Sequence, residues 1–291
     1  MTNAYQVLRL IVGFSIPFLL FASTGCTVTS NPVTAKSDHT VALAAFDHAI
    51  ENEGDSAAKT SLQKMRVCHQ HKSKELEIYE SEMEALPHEI GMLTKLEDLG
   101  LYYNELNTLP PEIGNLENLK VLYLKGNQLA TLPPEIGKFK KLTDLAAHEN
   151  NLTALPPEIG ELTYLEDLLL GRNQIGSLPK EIGNLMNLEW LNLGENDIEA
   201  LPPEIGKLSN LTSLNLIWNP LKSLPLEIRN LSKLKTLILY RTHITDADLE
   251  HLKSLKNLKE LYIVKTKVTR GGVESLQAAL PNCNINSDHL R

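Results

Sequence analysis

"LPPEIGNLENLKVLYLKGNQLAT" occupies residues 109–131, and close copies of it begin at Leu132, Leu155, Leu178, Leu201 and Leu224. A fixed period of 20–50 residues marks a solenoid or array in which one supersecondary unit is written repeatedly. The recurring letters have physical reasons. Leu119, Leu122, Leu124 and Leu129 follow LxxLxLxxNxL. Leu122 and Leu124 are two residues apart, so they share the inward face of an extended strand. Val121, Tyr123 and Lys125 then share the outward face. Pro110 and Pro111 lack amide hydrogens, stop a strand and suit the opening of a short turn or one-turn helix. Ile113 and Leu116 bring the far side of the coil back to the core, and Gly114 permits a tight backbone there. One such coil cannot bury its own leucines, whereas a stack can.

One recurring letter is polar. Asn104, Asn127, Asn150, Asn173, Asn196 and Asn219 stand at the same place in successive coils. A side-chain amide offers two donor hydrogens and an acceptor. Stacked inside the turn, these residues are expected to satisfy buried main-chain groups of adjacent coils, a structural role.

Both ends depart from the pattern, as a solenoid needs if its terminal leucines are to avoid water. Leu43, Phe46 and Ile50 have helical spacing before Gly54, and Leu62 and Met65 mark a second helix. "ELEIYESEME" then places Leu76, Ile78 and Met83 at strand-leucine positions, with Ser81 where the Asn belongs. Residues 39–85 therefore read as a helical N-terminal cap ending in a degenerate coil, and 86–246 as seven typical repeats. Beyond, Thr242 and Thr266 replace the Asn, and the proline-free "ADLEHLKSLKNL" and "GGVESLQAALPNCNI" read as a variant repeat and a C-terminal cap over 247–291.

The array resembles the leucine-rich repeat family, in the 23-residue form with LPxEIGxL on the convex side that is found in Ras-suppressor and plant disease-resistance types. The resemblance covers residues 76–285. It implies an α/β solenoid, a horseshoe with a parallel concave β-sheet and short convex helices or turns. The threonine-bearing end resembles the ribonuclease-inhibitor and cysteine-containing subtypes.

The first 26 residues differ from the rest. They carry a single charge, Arg9, and the apolar run over 10–21 is broken only by Gly13, Ser15 and Pro17. A membrane span needs about 20 apolar residues, so this run suits the hydrophobic region of a secretory signal. Ala22, Ser23, Thr24 and Gly25 lead into Cys26. Small residues before a lone Cys resemble the lipobox of bacterial lipoproteins. The resemblance implies a signal peptide over 1–25 and a lipidated Cys26. It also implies a polar tether over 26–38, a membrane held through the lipid, and a bacterial envelope location at the outer membrane or cell surface. An ordinary cleaved signal, or an uncleaved segment on a cytoplasmic chain, stays open as an alternative.

Composition excludes some chemistry. A net charge of −8 argues against a nucleic-acid partner, because phosphate binding needs a Lys/Arg-rich face. Three cysteines are too few for a disulfide framework, and Cys68 and Cys283, far apart in the stack, are expected to be free and buried. "CHQH" at 68–71 puts Cys68 and His71 on one helix face, but no further zinc ligand is in view. No phosphate loop or GxSxG motif is present. Asp144 and Asp167 occupy the same position in adjacent coils, a spacing that suits a solvated surface as well as acid–base work. The reading is non-enzymatic, with no metal and no cofactor.

The outward strand letters vary while the inward ones do not. Of the scarce aromatics after Cys26, Tyr79, Tyr102, Tyr103, Tyr123, Trp190, Trp218, Tyr240 and Tyr262 fall at these outward positions, and exposed Trp and Tyr dominate protein interfaces. With Asp144, His148, Asp167 and Arg172 they form the expected partner-binding set on the concave face. The function that follows is a membrane-anchored module that binds a protein partner. The alternative is an intracellular signalling or scaffold protein of the same fold without the lipid.

Overall fold

The computed structural model describes residues 36–289. The expected signal peptide, Cys26 and the tether as far as residue 35 lie outside the described residues. Ten parallel strands form one sheet in sequence order: β1 Glu75–Glu77, β2 Asp98–Gly100, β3 Val121–Tyr123, β4 Asp144–Ala146, β5 Asp167–Leu169, β6 Trp190–Asn192, β7 Ser213–Asn215, β8 Thr236–Ile238, β9 Glu260–Tyr262 and β10 Asn284–Asn286. The repeat sets the register directly, so that Leu99 pairs with Leu122 and Leu122 with Leu145. The degenerate N-terminal coil and the closing segment each add a strand to the eight main coils.

Each proline pair opens a 3₁₀ turn, as at Pro111–Asn115 and Pro134–Lys138, with the first proline extended and the second inside the turn. The preset φ of proline and its missing donor fit a helix start. On this convex side the coils approach closely at the glycine. A Cβ on Gly160 would lie 2.5 Å from the carbonyl oxygen of Glu181, so only glycine is accommodated. Leucines and isoleucines from both sides fill one continuous core from Phe46 to Ile285.

Helices α1 (Lys36–Asn52) and α2 (Ser56–His71) cover the N-terminal end, with Phe46, Leu62, Met65 and Cys68 buried. Residues 36–38, the end of the expected tether, belong to α1. A helix carrying the apolar pattern from Val41 onward needs its first turn upstream, where amides have no internal partner. Asp55 caps α2 by accepting from the Ala57 N–H. At the other end, α3 (Asp246–Leu252) and α4 (Arg270–Ala279) replace the 3₁₀ turns. Cys68 and Cys283 are both free and buried.

Candidate functional site

The asparagines turn the coils into a ladder. Asn127 donates to the carbonyls of Leu124 in its own coil and Leu101 in the preceding one, at 2.9 and 2.8 Å. Its Oδ1 accepts the Leu106 N–H at 3.1 Å. Asn104, Asn150, Asn173, Asn196 and Asn219 repeat this pattern, and the Ser81 N–H of the degenerate coil is satisfied by Asn104. Thr242 and Thr266 keep only the bond to the carbonyl three residues back. A second ladder escaped the sequence reading. Asn118, Asn187, Asn210 and Asn257 each donate to a carbonyl of the preceding coil, at Thr94, Thr163, Met186 and Ser232. Its signal was present in the recurring Asn three residues before the strand.

The residue before each ladder position adopts a left-handed conformation, with φ of 54–57° at Tyr103, Glu149, Arg172, Glu195, Trp218, Arg241 and Lys265. Tyr103, Arg172 and Trp218 therefore stand on this corner, at the rim of the sheet, and not among the outward residues of the strands with which they were expected to lie. Arg172 bridges Glu149 and Glu195 at 3.2 and 3.1 Å. The Arg241 guanidinium lies over the Trp218 ring, 3.9 Å from its centre, and Lys125 lies 5.1 Å from the centre of the Tyr103 ring.

The strands themselves present a graded surface. Tyr79 and Tyr102 stack at 5.6 Å between ring centres, and Tyr123 is half-buried two rows away. Asp144 and Asp167 are register partners on β4 and β5, while Asp98 sits two strands before Asp144 across Val121. Burial, then the charge of Asp144, raises Asp167 to about 6. Burial, then Lys125, lowers His148 to about 4, and its Nδ1 has no hydrogen-bond partner. Burial and these same aspartates push the Tyr123 phenol up to about 12. Trp190 follows Asp167 in register on β6.

Two of the expected contact residues are corrected. Tyr240 and Tyr262 are 9% and 7% exposed. Their neighbours Ile217 and Ile238, outward by alternation, are also buried. Large outward side chains in consecutive coils cover one another, and Arg241 and Lys265 reach over the Tyr240 ring. Tyr164 is exposed in the segment between the convex turn and β5, away from the strand band.

A family profile described as leucine-rich repeat region matches residues 44–174 and 168–290. The chain belongs to the leucine-rich repeat family. Among curated proteins, none matches it. Among solved structures, a leucine-rich repeat protein of Leptospira interrogans is 35% identical, with a TM-score of 0.61, over 77% of this chain and 63% of that one. An internalin of Listeria monocytogenes is 23% identical, with a TM-score of 0.68 over 78% of this chain and 64% of that one, and shares the fold. The Toll–Spätzle complex of Drosophila contains a chain 28% identical, with a TM-score of 0.59, over 66% of this chain and 26% of that one. The chain thus spans a little under two thirds of the Leptospira and Listeria proteins. The leucine-rich repeat solenoid is a fold typical of protein-binding modules, and function on it is set by the variable surface that each chain displays.

Proposed function

We propose that the chain is a non-enzymatic protein-binding module, tethered to a bacterial envelope through a lipidated Cys26, that takes a protein partner on its concave face. The observation that carries this reading is the contrast along the strands. Inward positions repeat leucine, while outward ones carry Tyr79, Tyr102, Tyr123, Asp144, Asp167 and Trp190 in a continuous band. Large amphipathic rings give contact area at low entropic cost, with charged groups beside them supplying orientation. The band is acidic and tyrosine-rich over β1–β5, which favours a basic segment of the partner there. The Toll–Spätzle complex is an instance in which a protein of this fold engages a protein ligand.

A photo-crosslinking residue placed at Trp190 in the full chain, in cells of its source, tests the face. It is expected to yield a protein adduct that the same residue at the convex Tyr164 does not. Equal labelling at both positions removes the concave-face reading. Mass spectrometry of the mature N-terminus tests the anchor: an acylated Cys26 is expected, and a retained Met1 favours the cytoplasmic alternative. Protease digestion of intact cells then separates surface display from a periplasmic position.

A further inference from the structure

The row of left-handed corners runs along one edge of the solenoid, and its two ends differ in charge. At the N-terminal end, Glu80, Glu82, Tyr103, Glu105 and Gly126 line a shallow, open cavity of about 330 Å³. At the C-terminal end, Trp218, Pro220, Arg241, His243 and Lys265 line one of about 440 Å³. Between them Lys125 and Arg172 balance Glu149 and Glu195. Neither the acids of the first cavity nor Arg241 and Lys265 of the second form an ion pair among the described residues. Asp288 approaches Lys265 only at its backbone N–H. Each cavity also offers a large exposed ring, Tyr103 at 45% and Trp218 at 48%.

The spacing is symmetric about Arg172. Counted along the corner row, Tyr103 lies three coils before it and Arg241 three after, Gly126 two before and Trp218 two after, and Glu80 four before and Lys265 four after. We propose that two copies of this chain pair edge to edge in antiparallel fashion about a two-fold axis near Arg172, each Trp218–Arg241 cavity receiving Tyr103 and the glutamates of the other copy.

A two-fold interface must be self-complementary, because each patch meets its mate twice. The two ends of this edge meet that condition; at the centre, where Arg172 faces its own copy and Glu149 faces Glu195, each guanidinium is held between the two glutamates of its own chain. Glu80 and Glu82 fall opposite Lys265, and Tyr103 opposite the Arg241 guanidinium. Trp218 falls opposite Gly126, the one corner without a side chain. At the centre Gln174 meets its own copy, and an amide pairs with an amide. Nine coils at about 4.8 Å per strand give an edge roughly 38 Å long. The concave faces stay open, so the pair is bivalent toward any partner.

The test uses a cysteine at the axis. Gln174→Cys in the full chain is expected to form a disulfide-linked dimer under mild oxidation, and the exposed Tyr164→Cys, which retains the same native cysteines, is not. Adding Arg241→Glu and Lys265→Glu should cut the Gln174→Cys yield at least tenfold. Adding Glu80→Lys and Glu82→Lys to that variant should restore it, since the charges are then exchanged rather than lost. All these positions are exposed, and circular dichroism checks that each variant is folded. A Gln174→Cys yield no higher than the Tyr164→Cys control overturns the proposal. So does a yield indifferent to charge reversal, or a loss that the compensating lysines leave unrepaired, the pattern expected if the cationic corner serves an acidic peptide instead.

Discussion

Asp144 and Asp167 stand opposite one another on adjacent strands, and burial together with this pairing raises Asp167 to about 6, against an ordinary 3.8. Burial is the larger cause and the neighbouring carboxylate the second. The folded state therefore holds more protons than the unfolded chain between these values, and this group adds stability as the pH falls from about 6 to 4. At neutral pH the ionised Asp167 is a cost. Asp167→Asn is expected to stabilise the fold at pH 7 by up to about 2 kcal/mol after solvent screening, a gain that disappears below pH 4. Urea unfolding at both pH values measures it, and an equal gain at each contradicts the assignment.

His148 acts in the opposite sense over nearly the same window. Burial and the nearby Lys125 hold the ring neutral to about pH 4, while the unfolded chain takes its proton near 6.5. Stability is therefore lost as the pH falls from 6.5 to 4. In the native chain the two residues offset each other. His148→Gln should unmask Asp167, so that stability rises on acidification through this range, and a variant whose stability falls as steeply as before removes His148 from the account.

Much of this was legible in the sequence because a 23-residue period leaves little freedom. The leucine spacing fixed strand, turn and register, and the polar letter fixed the ladder. Depth and direction at the rim were not legible. Alternation assigns Tyr240 and Tyr262 to the outward side of the sheet, but whether an outward ring is covered depends on its neighbours in the next coils, here Ile217 and Ile238. The left-handed corner is imposed by the turn into the Asn ladder and is filled by Tyr, Glu, Arg, Trp and Lys alike. Residue type therefore carries no signal for it; what separates Trp218 from Trp190 is position alone, directly before Asn219 and out of phase with the outward strand letters.

The ladder itself is open to measurement. Asn127→Ala leaves the buried Leu106 N–H unpaired, while the Leu101 and Leu124 carbonyls each lose one donor and keep another, from Asn104 and Asn150, at a cost of roughly 1–3 kcal/mol. Asn127→Thr can retain the bond to Leu124, as Thr242 does to Leu239, and should fall between the two. Chemical denaturation ranks them, and a threonine variant no better than alanine would show that the bonds to the preceding coil carry the whole effect.

The thiols of Cys68 and Cys283 are buried, and desolvation raises each to about 11. Alkylation requires the thiolate, so iodoacetamide at pH 8 should leave both intact in the native chain and modify both in urea. Peptide mass spectrometry separates them from Cys26. Native labelling at the rate of a free thiol would contradict the packing at both caps.

Asp248 joins the variant end to the typical coils. One carboxylate oxygen accepts the Leu224 N–H of the preceding coil at 2.8 Å, and the other accepts the Thr245 N–H at 2.7 Å, closing the cap of α3. Asp248→Ala removes both acceptors and leaves the buried Leu224 amide unpaired, a loss of about 2–4 kcal/mol. Coils in a solenoid interact chiefly with their neighbours, so the loss should stay local. Hydrogen exchange is expected to quicken over residues 246–286, which include α3, β9, α4 and β10, while amides over 99–217 keep their protection. Asp248→Asn retains one acceptor oxygen and should lose about half as much. If protection instead falls evenly along the whole chain, the junction at Asp248 is not a boundary between separable segments, and the array and its C-terminal cap unfold as one unit.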